Sequence, residues 1–215
     1  MIFFKNHLYE ESFKYEDKLA GYVKIIRELI LKAVHDKIFT INRKTLVQDL
    51  AKRYQQPISQ DLGDLSVMFT NTNDYFYDSV GKTIILPKRI LNSEFTKKDN
   101  IGISHELEHH FQFKNGTYKD QGTYTNKINR NSASAYNNDI NEINARLSQI
   151  SSYLKNSNKF REEVAQFDFA PFVEEILIKV LYLDDPNEYL DEILTEDNRN
   201  KVLEYLYLLW KKIKT

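Results

Sequence analysis

Three of the five histidines in this chain of 215 residues fall within six consecutive positions, in the string Ile101-Gly-Ile-Ser-His105-Glu106-Leu107-Glu108-His109-His110-Phe111-Gln112-Phe113. His105 and His109 are four apart, so on a helix their imidazoles lie one turn apart on the same face. Two ring nitrogens on one face can share a zinc ion at about 2.0–2.1 Å. Glu106 follows the first histidine directly, placed to take a proton from a water on that ion without ligating it. A metal makes such a water a usable nucleophile near neutral pH. The chain has no cysteine, which excludes disulfide scaffolds, thiolate zinc sites, iron–sulfur clusters and cysteine nucleophiles, and leaves His, Asp and Glu as metal ligands.

These residues need a helix, and the surrounding pattern predicts one. Helical character runs from about Thr96 to Phe113 and ends at Asn115–Gly116, a C-terminal cap. Ile103, Leu107 and Phe111 supply its apolar side. Upstream, Leu19, Tyr22, Val23, Ile26, Ile30, Ala33 and Val34 form a helical stripe over Asp17 to His35, and a second helix is expected from Arg43 to Gln56, stopped by Pro57. Between Leu62 and Pro87, LSVMF and KTIILP favour strands, and the intervening TNTNDYFYDSVG carries turn formers, so two or three strands of a small antiparallel sheet are expected. A polar segment of about 20 residues follows Phe113, an ordered loop length uncommon unless functional. Beyond it helices are expected over Tyr136–Leu154, Phe160–Phe167, Pro171–Leu183, Asn187–Leu194 and Asp197–Lys212.

The motif helix resembles that of the zincin metallopeptidases, zinc-dependent peptide hydrolases with H-E-x-x-H on the active-site helix. In that superfamily an edge strand usually holds the substrate in extended form, a role the resemblance gives to KTIILP or LSVMF. The metzincin extension does not fit, because no Gly stands three residues after His109 and no His six after it. No histidine follows His110, so the third ligand is a carboxylate, as in gluzincins. By resemblance it is Glu142, 33 residues after His109 in Asn141-Glu142-Ile143-Asn144-Ala145, with Asp139 as substitute ligand or as a partner orienting a histidine. Gln112 matches a frequent H-E-x-x-H-x-x-Q variant. The resemblance also implies an oxyanion donor, for which Tyr124 is chosen, with Tyr118 and Tyr136 as alternatives. Arg146 either binds a substrate carbonyl or pairs with an acid. Glu108 is read as a solvated helix-face residue or the partner of a loop lysine, and His110 as a packing or hydrogen-bonding neighbour.

The expected fold is therefore α+β, a single mostly helical domain over 1–215. It comprises a helical part over 1–60, the sheet and ligand helices over 61–155, and a helical part over 156–215, with the 114–135 loop as a lid. A chain this long buries a sizeable core without staples. Thirty Lys and Arg against 31 Asp and Glu give a net charge of −1, which disfavours a nucleic-acid partner despite Lys114, Lys119, Lys127 and Arg130. No leader and no stretch of roughly 18 apolar residues is seen, so the expectation is a cytoplasmic protein with no membrane partner. The expected function is zinc-dependent hydrolysis of a peptide or protein substrate, with one zinc per chain held by His105, His109 and Glu142 and Glu106 as general base. The competing expectation is a helical interaction protein that keeps the core without turnover, its site closed by a fourth ligand such as His110 or Asp139.

Overall fold

The computed structural model describes residues 16–92, 95–116 and 137–215. It is α+β, and the chain falls into two compact units, Met1–Tyr118 and Lys119–Thr215.

In the first unit, helix α1 (Glu16–His35) buries Leu19, Tyr22, Ile26, Leu29, Ile30 and Ala33, the 3/4-spaced face expected of it. A two-residue strand, β1 (Thr45–Leu46), leads directly into α2 (Val47–Arg53). The helix expected from Arg43 thus starts four residues late, because Thr45 and Leu46 are taken by pairing with Val67 and Ser66. Strands β2 (Ser66–Thr70), β3 (Phe76–Asp78) and β4 (Thr83–Pro87) complete a four-stranded sheet in the order β1-β2-β4-β3.

That sheet is mixed rather than antiparallel. Strands β2 and β4 run parallel, from Ser66 opposite Thr83 to Thr70 opposite Pro87, while β3 pairs antiparallel with β4 on its other side. The physical reason lies in the segment read as turns. Phe76-Tyr77-Asp78 is itself a strand, so the chain leaves β2, forms β3 and returns as β4 between the two. Being central explains why β4 is a near-continuous apolar run, Thr83, Ile84, Leu86 and Pro87 all buried. It also means that KTIILP is paired on both sides, while LSVMF is paired with β4 along its length and with β1 at Ser66 and Val67. The edge on that side of the sheet belongs to β3.

Helix α3 (Lys97–Lys114) carries the histidine motif. It starts at a capping box: Thr96 Oγ accepts from the Asp99 amide (3.2 Å), and Asp99 Oδ2 accepts from the Thr96 amide (2.6 Å). It ends at Asn115, with Gly116 in the left-handed region at φ 69°, the stop read from the sequence. Ile103, Leu107 and Phe111 pack into a core with α1, α2, β2 and β4.

The second unit is helical. Helix α4 (Ile140–Asn156) is capped by Asp139, whose carboxylate accepts from the amides of Asn141 (2.7 Å) and Glu142. It is followed by α5 (Asn158–Val164), α6 (Phe169–Lys179), a π-helical turn (Glu188–Ile193) and α7 (Glu196–Lys214). Ile143, Leu147, Ile150, Phe172, Ile176, Tyr189, Val202 and Leu206 are among its buried residues.

Two helical glycines make opposite predictions. A Cβ on Gly21 of α1 would meet nothing within 4 Å, so Gly21→Ala should stabilise by about 0.5–1 kcal/mol through helix propensity. A Cβ on Gly102 of α3 would lie 2.6 Å from the Tyr75 ring, so Gly102→Ala should destabilise by about 1–3 kcal/mol despite the same propensity gain. Urea unfolding of the two variants checks the signs; stabilisation by both would mean that Tyr75 does not rest on α3.

Candidate metal centre

His105 and His109 both project from α3, and their Nε2 atoms are 3.2 Å apart with the rings edge to face. Two ligands of one tetrahedral zinc, each at about 2.0–2.1 Å, stand roughly 3.3–3.4 Å apart. The pair therefore already has the spacing that a shared ion requires. His109 is buried, at 7% exposure, while His105 is partly open.

The tautomer of His109 follows from its neighbour. Gln112 Oε1, one turn on, lies 3.2 Å from His109 Nδ1. An amide oxygen only accepts, so Nδ1 carries the proton and Nε2 presents a lone pair. This is how ligating histidines are ordinarily held. Glu106 is buried beside the pair, at 6% exposure.

The other charged residues of the motif are buried as well. His110, 1% exposed, uses both of its nitrogens in the protein. Nε2 donates to the Asp61 carbonyl (3.1 Å), which leaves Nδ1 to accept from the Tyr77 hydroxyl (2.9 Å). Burial pushes its pKa down, partly opposed by the Asp61 carbonyl and the Asp64 carboxylate. His110 is thus the hydrogen-bonding neighbour the sequence suggested. Glu108 departs from expectation: at 2% exposure it is no solvated face residue.

Polar contacts fix α3 along its length. At its start, Asp99 is fully buried and accepts from Arg89 Nη2 (2.7 Å), the Tyr75 hydroxyl and Thr96. Arg89 Nη2 also donates to the Tyr75 hydroxyl (2.7 Å). At its end, Lys114 Nζ donates to the carbonyls of Gln60 and Asp61, both at 3.1 Å. Tyr75 and Tyr77, two residues apart, thus reach points separated by roughly 16 Å of helix, on either side of the two histidines. Sequence reasoning missed both tyrosines. The β-favouring aromatic run Tyr75-Phe76-Tyr77 was the available signal, masked by flanking turn formers.

In the second unit, Glu142 lies in the first turn of α4 and is 2% exposed. Its Oε1 accepts from Arg146 Nε (3.1 Å), so Arg146 is the partner of an acid, and that acid is Glu142 itself. Asp139, the substitute ligand, spends its Oδ1 on the helix cap. The proposed oxyanion donor Tyr124, its alternatives Tyr118 and Tyr136, and most of the 114–135 loop lie outside the described residues. No family model, no curated protein and no solved structure matches the chain.

The Asp99 cluster carries a pH signature. Burial alone would raise this carboxyl, but Arg89, Thr96 and Tyr75 together hold it below the ordinary carboxylate range. A pKa depressed in the folded state gives stability that is complete above the unfolded value, about 3.9, and is lost as pH falls through the folded value. Asp99→Asn should therefore be less stable than wild type at neutral pH, with the gap closing as pH drops below about 4. Urea midpoints across that range check it; a gap independent of pH would contradict the ionised cluster.

Proposed function

We propose that this chain is a zinc-dependent peptide hydrolase of gluzincin type, in which His105, His109 and Glu142 hold one zinc ion and Glu106 is the general base. The observation that carries the reading is the 3.2 Å approach of the two Nε2 atoms, with Gln112 setting the tautomer of His109. Two imidazoles and a carboxylate are a donor set that zinc accepts, each residue offering one ligand atom. Glu142 fits the third position by type, burial and hydrogen bonding, since ligating carboxylates are themselves usually held by a donor.

When bound, zinc supplies Lewis acidity and acidifies a water. Glu106 takes the proton of the attacking water and returns it to the leaving amine, a task that suits a carboxylate kept from bulk solvent beside the ligands. The substrate is an extended peptide, and β3 packs against the motif helix. The oxyanion donor proposed is Tyr124, with Tyr118 and Tyr136 as alternatives.

A catalytic rather than a closed zinc site is favoured because His110, named as a possible fourth ligand, is engaged through both nitrogens. No helix among the described residues is long and apolar enough to cross a membrane. The cytoplasm is the proposed place of action.

Metal analysis should find one zinc per chain in the wild type and a clear loss in His109→Ala and Glu142→Ala. Unchanged zinc in Glu142→Ala would reject it as a ligand. A quenched-fluorescence peptide library should be cleaved by the zinc-loaded protein and not after chelation. Glu106→Gln should keep its zinc and lose cleavage by roughly 100-fold or more. A Glu106→Gln protein that cleaves normally would sink the reading.

A further inference from the structure

We propose that Arg146 is a positioning residue for the metal-binding carboxylate of Glu142, itself held against Tyr189 of the π-helical turn. This rests on the reading of Glu142 as a ligand and adds what fixes its geometry.

The arrangement begins with a desolvated pair. Glu142 is 2% and the Arg146 side chain 16% exposed, and Arg146 Nε donates to Oε1 at 3.1 Å. At this burial a carboxylate keeps its charge only if it is paired and hydrogen-bonded. The i,i+4 spacing on α4 lets the guanidinium reach back over the turn that carries Glu142. With Oε1 committed, the rotation of the carboxylate about its own axis is set.

Arg146 is fixed in turn. Its guanidinium carbon lies 5.3 Å from the centroid of the Tyr189 ring, which is 2% exposed. A cation over an aromatic face is attracted to it, more strongly when water is excluded. Tyr189 belongs to the π-helical turn Glu188–Ile193, a conformation that re-aims side chains and recurs at functional sites. A second link ties this turn to the start of α4. Asn138, just before the cap, donates to the Ile193 carbonyl (2.7 Å) and accepts from the Thr195 amide (2.7 Å). Asn198 donates to both Asn138 oxygens. The turn thus holds the start of α4 through Asn138 and the carboxylate through Tyr189 and Arg146. An ion pair needed only to offset its own burial would not require the second anchor.

The test is a double-mutant cycle read as zinc affinity, by competition with a chromophoric chelator, with helix content followed by circular dichroism. Arg146→Met should weaken zinc binding by about 10–100-fold, the usual cost of removing an outer partner of a ligand. Tyr189→Leu should weaken it in the same direction and by less. In a Glu142→Ala background, Arg146→Met should change zinc affinity by less than about 2-fold, because the residue acts through Glu142. Arg146→Lys keeps the charge without the planar fork and should fall between wild type and Arg146→Met; it carries the test should Arg146→Met fail to fold. If Glu142→Ala weakens zinc while the folded Arg146 variants bind like wild type, the positioning role is overturned and the ligand assignment stands. If Glu142→Ala binds zinc like wild type, the ligand assignment itself fails.

Discussion

Two imidazole nitrogens held 3.2 Å apart, one of them in a buried ring, are the constraint on which this site depends. Gln112 Oε1 accepts a hydrogen bond from Nδ1 of His109, so in the neutral ring Nε2 can only accept. A lone pair in this position needs a partner of positive character, either the proton of His105 or a cation shared by both rings. The separation is that of two ligands on one tetrahedral ion. Everything else about α3 can be understood as keeping that approach in place.

Most of what surrounds the pair is polar and buried, which is costly unless each group is satisfied. The first unit meets this cost with contacts distributed along the helix. Asp99 collects Arg89, Tyr75 and Thr96 at one end, His110 bridges Tyr77 and the Asp61 carbonyl near the other, and Lys114 closes the last turn on Gln60 and Asp61. Such bonds have direction, unlike the apolar contacts of Ile103, Leu107 and Phe111, so they set the roll of the helix as well as its depth. Because Tyr75 precedes the edge strand and Tyr77 lies within it, the same contacts fix β3 against α3.

Legibility in the sequence varied with how local the deciding interaction was. Helix α3 could be read almost to the residue, because its cap at Thr96, its apolar residues and its stop at Gly116 are all encoded within its own span. The parallel pairing of β2 with β4 was not legible, since it depends on which strand inserts between which, and turn formers concealed β3. Thr45 and Leu46 read as helix because Leu46 is a strong helix former in phase with the apolar face that follows, while their partner strand is some 20 residues away. Glu108 read as solvated because a charge is ordinarily exposed, whereas on this helix it is buried with its neighbours. That Arg146 pairs with an acid was one of two readings open in the sequence, but neither the identity of that acid as Glu142 nor Tyr189 beside it, from a distant π-helical turn, was legible.

The central claim is that His105 and His109 share one ion with a carboxylate and no further protein ligand. Anomalous diffraction at the zinc edge, on crystals of the zinc-loaded protein, tests it most directly. The account predicts a single strong peak at about 2.0–2.1 Å from both Nε2 atoms and at about 2.0–2.2 Å from a Glu142 oxygen, with a fourth position left to solvent. A peak away from the two histidines, or one whose fourth ligand is another side chain of the protein, would contradict it.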